Sequence, residues 1–356
     1  MGKILRTCLI GCGKISEKHS YILGNKLVKN AELVAVCDLN PKNAEILSQK
    51  YSISAYTDMH KMLTEEDIDI VVILTESGFH CKHVLQIAKY SKNIIVEKPI
   101  ALTIEDGLRM KDECEKYNSR LFVVKQNRYN KPVIKLKEAI DNGRFDKLFL
   151  GTVRVRWSRD QKYYKQNEWR GKWSMDGGVL SNQAIHHIDM LQWMMGDVES
   201  VFAYSIQASA KIEAEDTATV NLKFKNGAIG LIEATTATRP KDLEGSISIL
   251  GTGGTVVIEG FSVNKMKTWQ FCEESQQDKS IIEDYSENPS NINCYGHIEF
   301  YNSVIDSILN KKNHPLNANE AIKSLKLLCA IYESIETAKE VKLDKSKFNT
   351  KLGVNK

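Results

Sequence analysis

Within its first forty residues the chain runs through a short apolar stretch, Thr7-Cys8-Leu9-Ile10, and a turn, Gly11-Cys12-Gly13-Lys14-Ile15-Ser16. A segment of helical character (Ser16–Leu27) comes next, then a second apolar stretch, Leu33-Val34-Ala35-Val36-Cys37, ending in Asp38. Strand, glycine turn, helix, strand, acid is the order of a dinucleotide-binding unit. Gly11 lets the backbone turn sharply off the strand, and Gly13 keeps a side chain out of the way of a pyrophosphate. Ser16 replaces a third glycine with a residue still small enough for helix and strand to approach. The first helical turn presents unpaired N–H groups and a positive dipole end to the phosphates. A carboxylate at Asp38 can accept from both ribose hydroxyls and would repel a 2′-phosphate. No Arg comes after it, so the pattern points to NAD rather than NADP.

The rest of the first third continues the alternation. Strands are expected at 70–74, 94–96 and 121–124, and helices at 41–51, 80–90 and 104–117, with Thr103 as an N-cap. Continuous apolar strands between helices mean a parallel sheet covered on both faces. After about residue 126 the pattern changes. A helix over 132–142 leads into longer alternating strands at 147–157, 198–207, 218–224, 228–236, 246–250 and 255–259, with a hairpin signal at Asn226-Gly227. The expectation is an α/β protein of two domains, a Rossmann-type parallel sheet over 1–126 and an α/β domain with a large, mostly antiparallel open sheet over 127–356. The open face is a surface for a homodimer or homotetramer. Residues 273–293 read as irregular, 296–310 and 319–339 as helices, and the lysine-rich tail as frayed.

Composition narrows the function classes. Hydrophobic residues make up 42% and the net charge is +4 over 356 residues, which gives no warrant for a nucleic-acid partner. No apolar run approaches the roughly 18 residues a membrane helix needs. The run from Met1 directly into a strand leaves no room for a leader. Eight cysteines without a CxxC pair fit a reducing, cytoplasmic setting, with Cys8, Cys37 and Cys329 as small core residues.

Two motifs carry chemistry. Glu97-Lys98-Pro99 follows the strand at 94–96, where a Rossmann sheet places its ligand, and a lysine there can serve as acid or base. Gly177-Gly178-Val179-Leu180-Ser181-Asn182-Gln183-Ala184-Ile185-His186-His187-Ile188-Asp189 reads as glycines before a helix. Asn182, His186 and Asp189 would then share one face, and His187 would point elsewhere, as a surface or capping residue. Adjacent histidines do not place metal ligands on one face, so no metal is expected. Substrate groups are expected in the loop before that helix, among Arg156, Trp157, Arg159, Tyr163, Tyr164, Trp169, Arg170 and Lys172, and at Arg128. Aromatic rings stack a base or pyranose, and arginine forks onto carboxylate or pyrophosphate. His297 is a weaker candidate.

On these residues the chain resembles the glucose–fructose oxidoreductase / inositol dehydrogenase / rhizopine-catabolism (Gfo/Idh/MocA) family of NAD(P)-dependent sugar and polyol oxidoreductases, over nearly its whole length. The resemblance implies that Lys98 and His186 flank the reacting carbon. It implies cofactor contacts from Gly11, Gly13, Lys14, Ile15, Asp38, Thr75, His80, Glu97, Lys98 and Gln126, and substrate contacts from Asn182, Asp189, Arg128, Tyr163, Trp169 and Arg170. Two positions depart from the family pattern. Asn182 stands where polyol dehydrogenases have aspartate, and the loop from Thr75 to His80 lacks its proline. The version here is similar to the branch that oxidises or reduces C3 of nucleotide-activated sugars in surface-polysaccharide pathways, such as a UDP-N-acetylhexosamine or its uronic acid. Two enzyme alternatives stay open, an NAD-recycling glycosidase acting through a 3-keto sugar and a polyol dehydrogenase. A non-catalytic redox-sensing module is the third. Whether Lys98 or His186 takes the hydroxyl proton also stays open.

Overall fold

The computed structural model describes residues 3–276, 278–286 and 294–354. The chain divides into two compact units, Met1–Gln126 with Asn293–Lys323, and Asn127–Ile292 with Ser324–Lys356.

The first unit begins as the sequence pattern requires: β1 (Leu5–Ile10), α1 (Ser16–Gly24), β2 (Ala31–Cys37), α2 (Pro41–Tyr51), β3 (Ser54–Tyr56), α3 (Met59–Glu65), β4 (Ile70–Ile73), α4 (His80–Ile87), β5 (Asn93–Val96), α5 (Ile104–Lys116) and β6 (Arg120–Val123). The strands form one parallel sheet in the order β3-β2-β1-β4-β5-β6. The order reverses between β1 and β4, and a ligand of such a sheet binds at the strand ends beside that switch. β4 and β5 are buried throughout, as a strand covered on both faces must be. Local chemistry sets the helix starts. Asn40 caps α2 ahead of Pro41, and the Thr103 hydroxyl accepts the Asp106 amide at 3.1 Å to cap α5. β3 and α3 are additions to the expected pattern; β3 is three residues long and partly exposed, too short and too wet to leave a signal.

The second unit supplies α6 (Lys131–Asp141), β7 (Leu148–Arg156), α7 (Gln161–Lys165), α8 (Val179–Asn182), α9 (Ile185–Met195), β8 (Val198–Ile206), β9 (Thr217–Phe224), β10 (Ile229–Thr235), β11 (Glu244–Gly251), β12 (Gly254–Glu259), β13 (Lys265–Phe271) and α10 (Asp278–Asp284). The stretch expected to be irregular contains α10, while residues 277 and 287–293 lie outside the described residues. The Asn226-Gly227 turn joins β9 to β10 as an antiparallel hairpin, with Gly227 at φ +85°. The remaining elements are α11 (Tyr295–Leu309), α12 (Ala318–Thr337) and β14 (Val341–Lys342). The second sheet runs β13-β12-β11-β7-β10-β9-β8-β14, antiparallel except for β7 beside β10. α9 lies against one face: a Cβ on Gly151 of β7 would stand 2.8 Å from Leu191 and 2.7 Å from Met195. The opposite face carries Leu150, Ile229, Leu231, Tyr204 and Ile206 beside a lattice in which Arg154 and Arg156 meet Glu233 and Glu244.

Two expectations change here. Residues 293–323 join the first unit, because Val123 donates its amide to the Leu316 carbonyl and Arg120 reaches Ser307 and Lys312. The tail, expected to be partly frayed, is held in place over its described residues: β14 adds an edge strand, Leu352 is fully buried, and Lys345 and the Asn349 amide hold Glu333. Among the described residues no helix is long and apolar enough to cross a membrane.

Candidate active site

In the first unit, the turn after β1 is shaped by two different absences of a side chain. Gly11 has φ +96°, and a Cβ there would stand 2.9–3.0 Å from the Leu74 and Thr75 backbone. Gly13 faces open space, with nothing within 4 Å of where its Cβ would be. The first glycine is therefore a packing requirement, and the second leaves a cradle. Ser16 does more than stay small: its hydroxyl donates to the Gly13 carbonyl at 2.6 Å. Ile15 begins α1 without a side-chain cap; the Ser16 and Lys18 amides already donate to the Gly13 and Ile15 carbonyls at 3.0 and 3.1 Å, so an anion here would meet the positive end of the helix dipole. Lys14 is exposed at this turn.

Asp38 is held ready at the end of β2. Its Oδ2 accepts the Cys12 amide at 2.7 Å and its Oδ1 the Asn40 amide at 2.8 Å. The Asn43 side-chain amide adds a longer contact to Oδ1 at 3.4 Å. A carboxylate has about four acceptor positions, so one ribose hydroxyl can be received directly and a second by displacing the long Asn43 contact. This cradle fits an adenine dinucleotide bearing a free ribose diol. Asp38→Ala is expected to weaken NAD by about 10- to 100-fold, the worth of charge-assisted hydrogen bonds, and to narrow the preference over NADP; titration of both nucleotides measures it.

At the end of β5 the chain passes through Glu97, Lys98 and Pro99. Lys98 is half-buried, its amide donates to Glu97 Oε2 at 3.0 Å, and the Lys98–Pro99 peptide is cis. His80 is buried and joins this segment to the end of β4, with Nδ1 at 2.8 Å from the Pro99 carbonyl and Nε2 at 3.0 Å from that of Thr75. The Thr75 hydroxyl meets His83 at 2.9 Å. So Thr75 and His80 shape the loop beneath Lys98, and Gln126 stands half-buried just beyond β6.

In the second unit the Gly177-Gly178 pair has a packing cause. A Cβ on Gly178 would overlap Glu215, 2.1 Å from its carbonyl oxygen, and one on Gly177 would lie 2.8 Å from Leu352. Glu215 is buried and caps α8 from a distance, its Oε1 accepting the Leu180 amide and the Tyr332 hydroxyl, each at 3.0 Å. Burial pushes its carboxyl up to about 7 from 4.5. A carboxyl with a raised folded-state pKa binds its proton more tightly when folded. Stability should therefore fall as pH rises from about 4.5 to about 7 and level off above. Glu215→Gln should flatten that window in urea titrations at pH 5 and pH 8.

The helix beyond the glycines is not continuous. The Ala184 amide bonds to the Val179 carbonyl at 2.8 Å, a wide turn that separates α8 from α9. One extra residue in the turn rotates the second helix by about 100° relative to the first. Asn182 thus lies on its own short helix, donating to the buried Asp176, while His186 and Asp189 remain three apart on α9. His187, expected at the surface, is fully buried, with its ring edge-on to Trp157 at 5.9 Å and a glycine, Gly245, opposite it. Burial lowers its pKa to about 4, so it is a neutral core residue. His186 is half-exposed.

Arg128 and Asp189 are brought together as a buried bidentate pair, Nε–Oδ2 2.7 Å and Nη2–Oδ1 2.8 Å, with the Ser324 hydroxyl on Oδ1 at 2.7 Å. The guanidinium of Arg128 lies 4.6 Å over the Trp193 ring. The loop candidates gather in a stack. Arg170 lies over Tyr163 at 4.2 Å and Trp169 at 4.6 Å, and Arg159 over Trp157 and Tyr163 at 5.4 and 5.6 Å. Gln183, which carries no motif signal of its own, bonds the Tyr163 hydroxyl at 3.3 Å. Arg156 instead serves the open sheet face, and Tyr164 is buried on Thr236.

Residues 5–125 match the family profile described as the NAD-binding Rossmann fold of the GFO/IDH/MocA oxidoreductases, and residues 137–343 match that family's C-terminal alpha/beta domain. This chain belongs to the Gfo/Idh/MocA oxidoreductase family. It is an NAD-binding enzyme, and family relatives act on sugar and polyol hydroxyls. The chain is 27% identical over 355 residues to the myo-inositol 2-dehydrogenase of Thermotoga maritima, covering 96% of this chain and 99% of the relative. It is 28% identical over 253 residues to the D-glucoside 3-dehydrogenase of Escherichia coli, covering 65% and 70%. Among solved structures, the WlbA dehydrogenase of Bordetella pertussis in complex with NADH and UDP-GlcNAcA is similar at 37% identity and TM-score 0.89, over 97% of this chain and all of that one. The WlbA dehydrogenase of Chromobacterium violaceum, with the same ligands, is similar at 37% identity and TM-score 0.90, over 96% of each chain.

Proposed function

We propose that this Gfo/Idh/MocA member is an NAD-dependent dehydrogenase acting at C3 of a nucleotide-activated N-acetylhexosaminuronic acid. The observation that carries this reading is the 37% identity, over at least 96% of the chain, to two dehydrogenases solved with NADH and UDP-GlcNAcA. Two features of the chain support it. Asn182 stands where a polyol enzyme would have a carboxylate, which removes an anion from the neighbourhood of an anionic substrate. The Tyr163–Arg170–Trp169 stack, with Arg159 beside it already paired with Asp242 at 2.9 Å, offers a cation and ring faces of the kind that hold a uronate or diphosphate and a sugar or base.

In this reading the Gly11–Gly13 turn and Asp38 would hold NAD, which would supply the hydride acceptor for the carbinol carbon. The hydroxyl proton passes to Lys98 or His186, and the other of the two polarises the developing alkoxide. The products are a 3-keto sugar, NADH and a proton. Arg128 and Asp189 neutralise each other and hold the helix that carries His186. The face of Leu150, Ile229 and Tyr204 closes a homodimer or homotetramer, and the eight free cysteines suit a cytoplasmic enzyme.

The test is NADH formation across UDP-GlcNAcA, UDP-GlcNAc, GDP-sugars and myo-inositol, with mass spectrometry of ligand released from fresh protein. NADH accumulating with UDP-GlcNAcA is the expected result. Turnover of myo-inositol alone would return the enzyme to the polyol class. Consumption of a glycoside without NADH accumulation would assign cofactor recycling.

A further inference from the structure

Behind Glu97 lies a buried line of polar side chains that the proposed chemistry does not use. His19 on α1 is fully buried; its Nε2 stands 3.0 Å from Glu97 Oε1 and its Nδ1 2.7 Å from the Tyr301 hydroxyl. Tyr301 and His297 are four residues apart on α11, both buried, and the His297 ring meets that of His19 edge-on at 5.4 Å. All of these residues belong to the first unit.

Proton counting selects one arrangement. Burial and the nearby Glu97 carboxylate keep the Tyr301 phenol protonated, with a hydrogen it can donate to His19 Nδ1. The imidazole then carries its own hydrogen on Nε2 and donates it to Glu97. Burial by itself would raise the Glu97 pKa, but the hydrogen bond from His19 and the nearby His19, His297 and Lys98 side chains hold it well below the usual carboxylate range. One carboxylate oxygen serves His19 and the other the Lys98 amide. Ligand-type atoms of His19, Glu97 and His297 lie within 4.8 Å of one another. A metal is not needed to explain them, because both His19 nitrogens are already engaged, one by Tyr301 and one by Glu97.

The backbone at Lys98 is therefore pinned on two sides, by Glu97 at its amide and by His80 at the Pro99 carbonyl. We propose that His19 is a positioning residue: through Glu97 it fixes the backbone from which the Lys98 amine reaches the substrate hydroxyl. This rests on the role given to Lys98 above. Misplacing a reacting group by 1 Å can cost about 100-fold in rate.

The test compares His19→Phe, which keeps bulk and loses both polar contacts, with His19→Gln, whose amide retains a donor for Glu97 and an acceptor for Tyr301. Active sites are counted by NADH titration. The expected result is a kcat lower by about 100-fold in His19→Phe with the KM for NAD nearly unchanged, and recovery of about tenfold in His19→Gln. Equal kcat in all three, or no recovery with Gln, overturns the proposal. A substrate-free arm measures Lys98 acetylation by acetic anhydride, with mass spectrometry as the readout. A changed labelling rate at Lys98 in His19→Phe, with other lysines unaffected, supports the proposal even if no sugar is turned over, in which case the proposed function fails alone. Should His19→Phe not fold, ¹⁵N imidazole spectra of the wild type decide: hydrogen on Nε2 supports the arrangement, and hydrogen on Nδ1 overturns it.

Discussion

Lys98→Met is expected to lower kcat for the sugar substrate by about 10²–10⁴-fold, the range a positioned acid or base contributes, while NADH binding is retained. Lys98 ends β5, in a sheet whose order reverses between β1 and β4. Its segment is buried on either side of it, at Glu97 and Pro99, and the lysine itself is only half so. Methionine keeps an unbranched chain of similar length and removes only the amine, so the Glu97 and His80 contacts to the backbone survive. Single-turnover rates over a pH series, in parallel with His186→Asn, separate the two proton-transfer assignments. The variant that loses the acidic limb of the wild-type profile, where protonation of the base slows the reaction, has lost the proton acceptor. A kcat within tenfold of wild type in Lys98→Met would leave proton transfer to His186.

Asp189→Ala is expected to be the most destabilising single change at the site, by about 3–5 kcal/mol, because it strands a buried guanidinium. Arg128 is 7% exposed and Asp189 3%. With the carboxylate gone, the guanidinium loses its bidentate partner and keeps its place over the Trp193 ring, and the Ser324 hydroxyl loses its bond to Asp189. Arg128→Ala should cost a similar amount by stranding the carboxylate instead. The double replacement Arg128→Met with Asp189→Leu should recover most of the loss, since an apolar pair of similar volume carries no desolvation penalty. Urea denaturation of the four proteins gives the cycle. Additive losses would mean that the two groups act independently despite their bidentate geometry.

How much of this molecule is legible in its sequence depends on how local the causes are. The turn at Gly11 and Gly13, the placed Asp38, the capped starts of α2 and α5 and the hairpin at Asn226-Gly227 each depend on a few consecutive residues. Their signatures sit in the sequence. The break between α8 and α9 depends on one backbone bond from Ala184 to Val179 that apolar spacing does not reveal. His187 is interior, its ring edge-on to Trp157, thirty residues earlier in the chain. The Arg128–Asp189 pair joins residues 61 apart, and the Tyr301–His19 contact residues 282 apart. Each candidate is visible as a residue type, and its partner is not. A signal for His19 exists: an imidazole on the buried side of the first helix needs something to bond.

The nucleotide unit is finished by a helix that enters from far along the chain. A fragment ending after β6 would contain all six strands of the first sheet and yet hold His19 beneath no phenol, with the Leu316 carbonyl missing from the edge at Val123. During translation that fragment emerges first and must wait, partly assembled, while the whole intervening sheet is synthesised. Excising it as a stand-alone nucleotide binder would therefore yield a less stable module unless residues up to 323 are grafted back.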